Sequence, residues 1–216
     1  MRGLFISFEG IEGSGKSTQI ALVAEYLKEK KKNFVLTREP GGTSIGNEIR
    51  SILLKPEHKN MHPITELLLY EASRCQHIAE VIEPALFEGK IVLCDRYADA
   101  TTAYQGAARK LKSETIENMH QAATDGLMPQ LTFLFDFDAK MGLTRARIRN
   151  KQEANANEGR FEDEQLQFHE AVRSAYLQIA KNEPERVKII DASGSPEKVF
   201  EQVKKILDTF FTSKKK

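Results

Sequence analysis

Cysteine is scarce in this sequence: there are two, Cys75 and Cys94, with no Cys-x-x-Cys spacing. Zinc-ribbon and thioredoxin-type chemistry are therefore not expected, and a reducing, cytoplasmic compartment is. Excess charge is also missing. The net charge is +1, so there is no long-range field to gather DNA or RNA, and a nucleic acid polymer is not expected as partner. No apolar run approaches membrane-spanning length, and Leu4–Phe8 is too short for the core of a signal peptide. The five histidines, His58, His62, His77, His120 and His169, show no metal-ligand spacing and read as structural or surface residues. No Ser–His–Asp signature, internal repeat or linker is evident. What these absences leave is an ordinary globular composition, 40% hydrophobic and 29% charged, in 216 residues. That length fits one domain with a single core, residues 1–216.

Five short runs are apolar nearly throughout: Leu4–Phe8, Phe34–Thr37, Ile91–Cys94, Leu131–Asp136 and Val187–Asp191. Uniform rather than alternating hydrophobicity predicts strands covered on both faces. Cys94 then reads as a small buried hydrophobe. Between the runs, apolar residues recur at helical spacing. Ile20, Val23, Ala24 and Leu27 make one stripe; Ile45, Ile49, Ile52 and Leu53 make another. A last helix carries Val199, Val203, Ile206, Leu207 and Phe210, with Ser195 as N-cap and Pro196 at its first position. Lys30–Lys32 and Lys214–Lys216 read as solvated ends. The alternation of strand and helix predicts an α/β fold with a five-stranded parallel sheet and helices on both faces, three layers in all.

One motif carries explicit chemistry. Gly10-Ile11-Glu12-Gly13-Ser14-Gly15-Lys16-Ser17 fits the pattern G-x-x-x-x-G-K-[ST] of a phosphate-binding P-loop. Its glycines let successive N–H groups turn toward one phosphate, and the helix that follows adds its positive end. Lys16 can reach the β- and γ-phosphates of a nucleoside triphosphate, and the Ser17 hydroxyl can bind Mg2+. Asp95 closes an apolar strand, where a Walker-B carboxylate belongs, and Arg96 leaves the sheet beside it. Arg38 follows the second strand and belongs to the same crevice edge; arginines there suit two phosphate groups brought together. The alternative for Arg38 is a surface ion pair with Glu39.

The loop alone establishes triphosphate binding. The acceptor is indicated by a resemblance that runs over nearly the whole chain. The segments Phe8–Thr18, Arg38-Glu39-Pro40-Gly41-Gly42-Thr43, Asp95-Arg96-Tyr97 with Ala103-Tyr104-Gln105-Gly106, and Arg160-Phe161-Glu162 resemble the thymidylate kinase family, bacterial type. The resemblance implies a P-loop kinase fold and transfer of the ATP γ-phosphoryl group to dTMP, giving dTDP and ADP with Mg2+ as cofactor, in a cytoplasmic homodimer. It implies catalytic roles for Lys16, Asp95, Arg96 and a lid arginine, Arg149 or Arg145. It implies ATP contacts along Gly10–Thr18 and at Arg145, and metal contacts at Ser17 and, through water, Asp95. Acceptor contacts would come from Glu9, Arg38, Pro40, Tyr70, Arg74, Arg96, Thr101, Tyr104, Gln105 and Glu162. Tyr70 would stack on the base, Arg74 would donate to its O4, and Tyr104 would crowd a 2′-hydroxyl. The lid would lie near 145–162.

Glu12, rather than a basic residue, stands in the loop, as in bacterial members of the family that take the catalytic arginine from the lid. The chain departs from the family in two places. Tyr70 stands where Phe is usual. Gly159 stands where Asp commonly precedes Arg-Phe-Glu, so that carboxylate's task falls to Glu158, to Glu162 or to no residue. Two other readings stay open. One is a kinase of the same fold acting on another nucleotide or on a nucleoside, with Glu9 or Glu12 as general base. The other is a P-loop switch that binds a protein partner.

Overall fold

The computed structural model describes residues 2–152 and 159–213. Glu158, the middle of the expected lid and Lys214–Lys216 lie outside the described residues.

Five strands form one sheet: β1 (Leu4–Glu9), β2 (Phe34–Arg38), β3 (Ile91–Asp95), β4 (Leu131–Asp136) and β5 (Val187–Asp191). All pairings are parallel, in the order β2-β3-β1-β4-β5. Parallel neighbours require crossovers, and helices supply them. They are α1 (Lys16–Glu29), α2 (Ser44–Leu54), α3 (Pro63–His77), α4 (Glu83–Phe87), α5 (Ala98–Thr101), α6 (Ser113–Thr124), α7 (Ala139–Gln152), α8 (Leu166–Asn182) and α9 (Pro196–Ser213). Two stretches are π-helical, Ile78–Ile82 joining α3 to α4 and Thr102–Ala108 continuing α5.

The core has two halves, one on each face of the sheet. On one face α1 and α9 cover Ile6, Phe8, Leu93, Phe133 and Phe135 with Val23, Leu27, Val203 and Leu207. On the other, Phe5, Val92 and Cys94 meet Ile78, Ile82 and Leu86, while Leu134 packs with Leu53, Val172 and Tyr176. Each such side chain contributes roughly 1.5–3 kcal/mol on burial. This is the expected three-layer arrangement. The α1 stripe of Ile20, Val23, Ala24 and Leu27 is buried as its spacing predicts.

Two expectations need correction. The strands β2 and β5 are not covered on both faces: Leu36 and Ile189 are about half exposed, at 53% and 51%. Both strands are sheet edges, which no sequence run reveals. The α2 stripe is also only half buried, since Leu53 is enclosed but Ile45 and Ile52 face outward.

The strand order puts a topological switch at β1, with β3 on one side and β4 on the other. Ligands of open α/β sheets bind outside the strand C-termini at such a point. The strand ends there are Glu9, Arg38 and Asp95, and Phe8 and Arg38 both stand in register with Asp95.

Candidate active site

Above those strand ends lies a cleft of about 700 Å³. One wall is the phosphate loop. Gly10, Gly13 and Gly15 take φ of 139°, 70° and 88°, which bends the chain back over the start of α1. Gly15 at the N-cap of α1 offers no side-chain cap, which leaves the first N–H groups of the helix available to an anion. Lys16 is buried and its Nζ donates to the carbonyls of Gly10 (2.9 Å) and Ile11 (3.0 Å). Burial, with the positive charge of Arg96 nearby, lowers its pKa to about 8.

Arg96 begins the opposite wall. Its N–H extends the ladder to the Phe8 carbonyl (3.0 Å) and its φ is 69°. A non-glycine residue held there costs about 1–3 kcal/mol and is a feature of functional sites. The side chain is held on three sides. Nη2 donates to Glu12 (2.9 Å), Nη1 donates to the Tyr176 hydroxyl (3.2 Å), and Cζ stands 4.9 Å over the Tyr104 ring. Glu12 also accepts from the Tyr104 hydroxyl (2.5 Å) and pairs with His169 Nδ1 (3.2 Å). Burial opposes its ionisation, but Arg96, His169 and Lys16 together hold its carboxyl well below the usual range. Glu12, in the loop, thus ties the loop to the opposite wall.

Arg38 lines the cleft, and among the described residues nothing engages its side chain. The expected alternative, an ion pair with Glu39, is not formed. Glu39 is buried and instead accepts from Arg74 Nε (2.8 Å) and pairs with His77 (3.0 Å). Tyr70, Pro40, Tyr104 and Gln105 line the same region, joined by Phe161 of the Arg160-Phe161-Glu162 segment and by Arg50, Leu54 and Ala100, which the sequence did not single out. The Gln105 amide donates to Glu66 (2.7 Å), and Glu66 is fully buried against Arg160 (2.6 Å).

Three expected acceptor contacts stand behind this wall rather than on it. Arg74 is buried, with donors given to Glu39, Glu71 (2.7 Å), the Tyr97 carbonyl (3.2 Å) and the Thr101 hydroxyl (2.9 Å). That leaves one of its five N–H groups, at Nη1, for a ligand. Thr101 therefore serves Arg74. Glu9 is fully buried, accepting from the Tyr97 N–H (2.6 Å) and the Tyr176 hydroxyl (2.7 Å). Burial, reinforced by Asp99, pushes its carboxyl up to about 8. Gly10 and Ile11 likewise lie beneath the loop, bonded through their carbonyls to Lys16.

On the remaining side, Arg145, Arg149 and Glu162 line the cleft together with Gly13–Thr18. Arg145 lies 4.2 Å over the Phe137 ring, and Arg149 Nη2 is 3.7 Å from Glu162. Arg147 points elsewhere, donating to the Glu162 carbonyl (2.9 Å). Six lining residues are Lys or Arg: Lys16, Arg38, Arg50, Arg96, Arg145 and Arg149. So much positive charge on facing walls suits two polyanions held end to end.

Among the described residues no group of three or more His, Cys, Asp or Glu side chains could hold a metal ion alone. Asp95 nevertheless lines the cleft, as Ser17 does, and its buried Oδ1 has no hydrogen-bond partner among the described residues. One carboxylate and one hydroxyl fit Mg2+, which takes its other ligands from water and phosphates.

Comparison with known proteins agrees with this geometry. A family model described as thymidylate kinase matches residues 8–203. The chain is 51% identical over 201 residues to a thymidylate kinase of Pelobacter propionicus, covering 93% of this chain and 92% of that one. It is 49% identical over 210 residues to one of Oleidesulfovibrio alaskensis, covering 97% and 99%. A solved thymidylate kinase from Ehrlichia chaffeensis is similar at a TM-score of 0.77 and 34% identity, over 96% of this chain and all of that one.

Proposed function

The chain belongs to the thymidylate kinase family and catalyses ATP + dTMP = ADP + dTDP, and from this we propose how the cleft performs that transfer. The acceptor phosphate oxygen is already ionised near neutral pH, so no general base is needed. The protein's task is to hold two anionic groups in line and offset their repulsion. The observation that carries this reading is the pair of facing cationic walls, the loop with Lys16 on one side and Arg38 with Arg96 on the other.

In this reading the N–H groups of Gly13–Thr18 and the ammonium of Lys16 hold the triphosphate. Arg38, unpaired and facing the cleft, grips the dTMP phosphate with Arg96. Arg96 touches both halves of the reaction, because Glu12 fixes it against the loop. Arg149, with Arg145 beside it, reaches the transferring phosphoryl group from α7. Ser17 and Asp95 would hold Mg2+, which supplies charge neutralisation across the β- and γ-phosphates when bound. The whole chain acts as one kinase domain, with a lid near 145–162 whose described parts border the ATP side.

Tyr70 and the edge of Tyr104 flank the nucleoside of dTMP. The Glu66–Gln105 hydrogen bond ties down the amide nitrogen and leaves the amide oxygen as acceptor for a ring N–H. Thymine and uracil carry that N–H at N3; cytosine does not. The thymine methyl is worth only about 1–3 kcal/mol, so deoxyuridylate is a poor but real substrate. The test is an ADP-release assay over a panel of nucleoside monophosphates and nucleosides. dTMP should be preferred, with deoxyuridylate slower and cytidylates near background. Equal efficiency on cytidylates would remove the Gln105 role, and turnover of a nucleoside would remove the acceptor assignment.

We also propose a homodimer in the cytoplasm. Ile45 and Ile52 on α2 and Leu68 on α3 are exposed apolar side chains on two helices packed side by side. No helix of the described residues is long and apolar enough to cross a membrane.

A further inference from the structure

Helix α7 carries a glycine in its interior, Gly142. Alanine is a better helix former at such a position, and Gly142 is not among the glycines with positive φ. Its backbone conformation therefore does not require glycine. Its surroundings do. A Cβ built on Gly142 would stand 2.5 Å from the Glu12 carbonyl oxygen and 3.1 Å from Ile11 Cδ1. From the other side, a Cβ on Gly13 would stand 2.1 Å from the Gly142 carbonyl oxygen. Two glycines face each other, and the main chain of α7 rests directly on the phosphate loop.

The same helix face continues into the cleft. Gly142, Arg145 and Arg149 are spaced i, i+3, i+7 and so lie on one side of α7. The first touches the loop from outside, and the other two line the cleft. The loop is not free to yield at this point. Its Glu12 side chain is held by Arg96, Tyr104 and His169, from three separate parts of the chain. Any bulk added at position 142 must therefore move α7.

We propose that Gly142 is a positioning residue for phosphoryl transfer: its missing side chain lets α7 sit on the Glu12–Gly13 peptide and so sets the reach of Arg145 and Arg149 over the phosphates. This rests on the lid-arginine reading given above. Bringing a methyl from 2.5 Å to ordinary contact requires a shift on the order of 1 Å. Misplacing a catalytic group by that distance can cost about 100-fold in rate.

The experiment measures kcat, both KM values and thermal melting for Gly142→Ala in two backgrounds, wild type and Arg145→Ala,Arg149→Ala. The expected result in the wild-type background is a folded enzyme with kcat down about 10- to 100-fold and KM for dTMP within about twofold. In the arginine-free background the same change should lower kcat less than about threefold, because the groups it misplaces are gone. A wild-type kcat for Gly142→Ala, or an equal fold-loss in both backgrounds, would overturn the proposal. A different outcome isolates the premise: if the arginine-free enzyme itself turns over like wild type, the lid-arginine reading fails, whatever Gly142→Ala does alone. Should Gly142→Ala not fold, the comparison is made between Ile11→Val and Ile11→Val,Gly142→Ala, since valine lacks the Cδ1 atom, the nearest side-chain atom to the new methyl at 3.1 Å.

Discussion

Arg96 pairs with Glu12, and in the proposed reading the same charge also holds phosphate, which a neutral side chain cannot do. Arg96→Ala should keep ATP affinity within a few-fold and lower kcat by about 10³ or more, the scale of an arginine that serves a transferring phosphoryl group. Nucleotide titration alongside turnover checks this, and near-wild-type turnover would remove the role. Lys16 gives a second residue-level prediction. Its pKa of about 8 means that the ammonium discharges as pH rises past that value. Triphosphate oxygens beside it favour the charged form, so ATP binding takes up a proton above pH 8. The dissociation constant should then rise, by up to about tenfold per pH unit. Calorimetry in buffers of different ionisation enthalpy reads the proton directly, and affinity that is flat from pH 7.5 to 9.5 would contradict it. Residues such as Lys16, Asp95 and Arg96 were legible because a local motif announces them. The pairings of His169, Tyr176 and Arg160 were not. Their partners lie 157, 167 and 94 residues away, at Glu12, Glu9 and Glu66. Spacing along a chain carries no signal for such pairs; folding brings them together.

At the scale of elements, α2 starts on a defined cap: the Thr43 hydroxyl accepts from the Gly46 N–H (2.9 Å). The helix then delivers Arg50 and Leu54 to the acceptor side of the cleft. Thr43→Ala should cost about 1 kcal/mol and lower Tm by about 2–4 °C, which scanning calorimetry resolves; an unchanged Tm would show that the cap is dispensable. The five strands were readable to within a residue at each end, because central strands of a parallel sheet must be apolar on both faces. Which strands were edges was not readable, since Leu36 and Ile189 look like core residues until β2 and β5 are seen to be outermost. Nor did any signal mark the π-helical stretch Thr102–Ala108. Yet its wider turn carries Tyr104 and Gln105 to the cleft, and such turns are frequent at functional sites.

For the whole molecule, the outward isoleucines of α2 are the feature that a lone subunit leaves unexplained. Ile52 is 44% exposed, and Ile45, one heptad earlier, is 51% exposed. If a second copy covers them, Ile52→Asp should convert a dimer to a monomer by light scattering while the far-ultraviolet circular dichroism stays the same. A wild-type monomer at micromolar concentration would refute the dimer. The parallel sheet has one more consequence. Because every strand runs the same way, the cleft lies at one rim, and the opposite rim is left with turns such as Lys31–Lys32 and Glu88–Gly89, exposed and absent from the cleft lining. Change is unevenly tolerated across the molecule as a result. A label, a surface tether or an inserted peptide belongs at that far rim, where the chain can be lengthened or recoloured without disturbing a single phosphate contact.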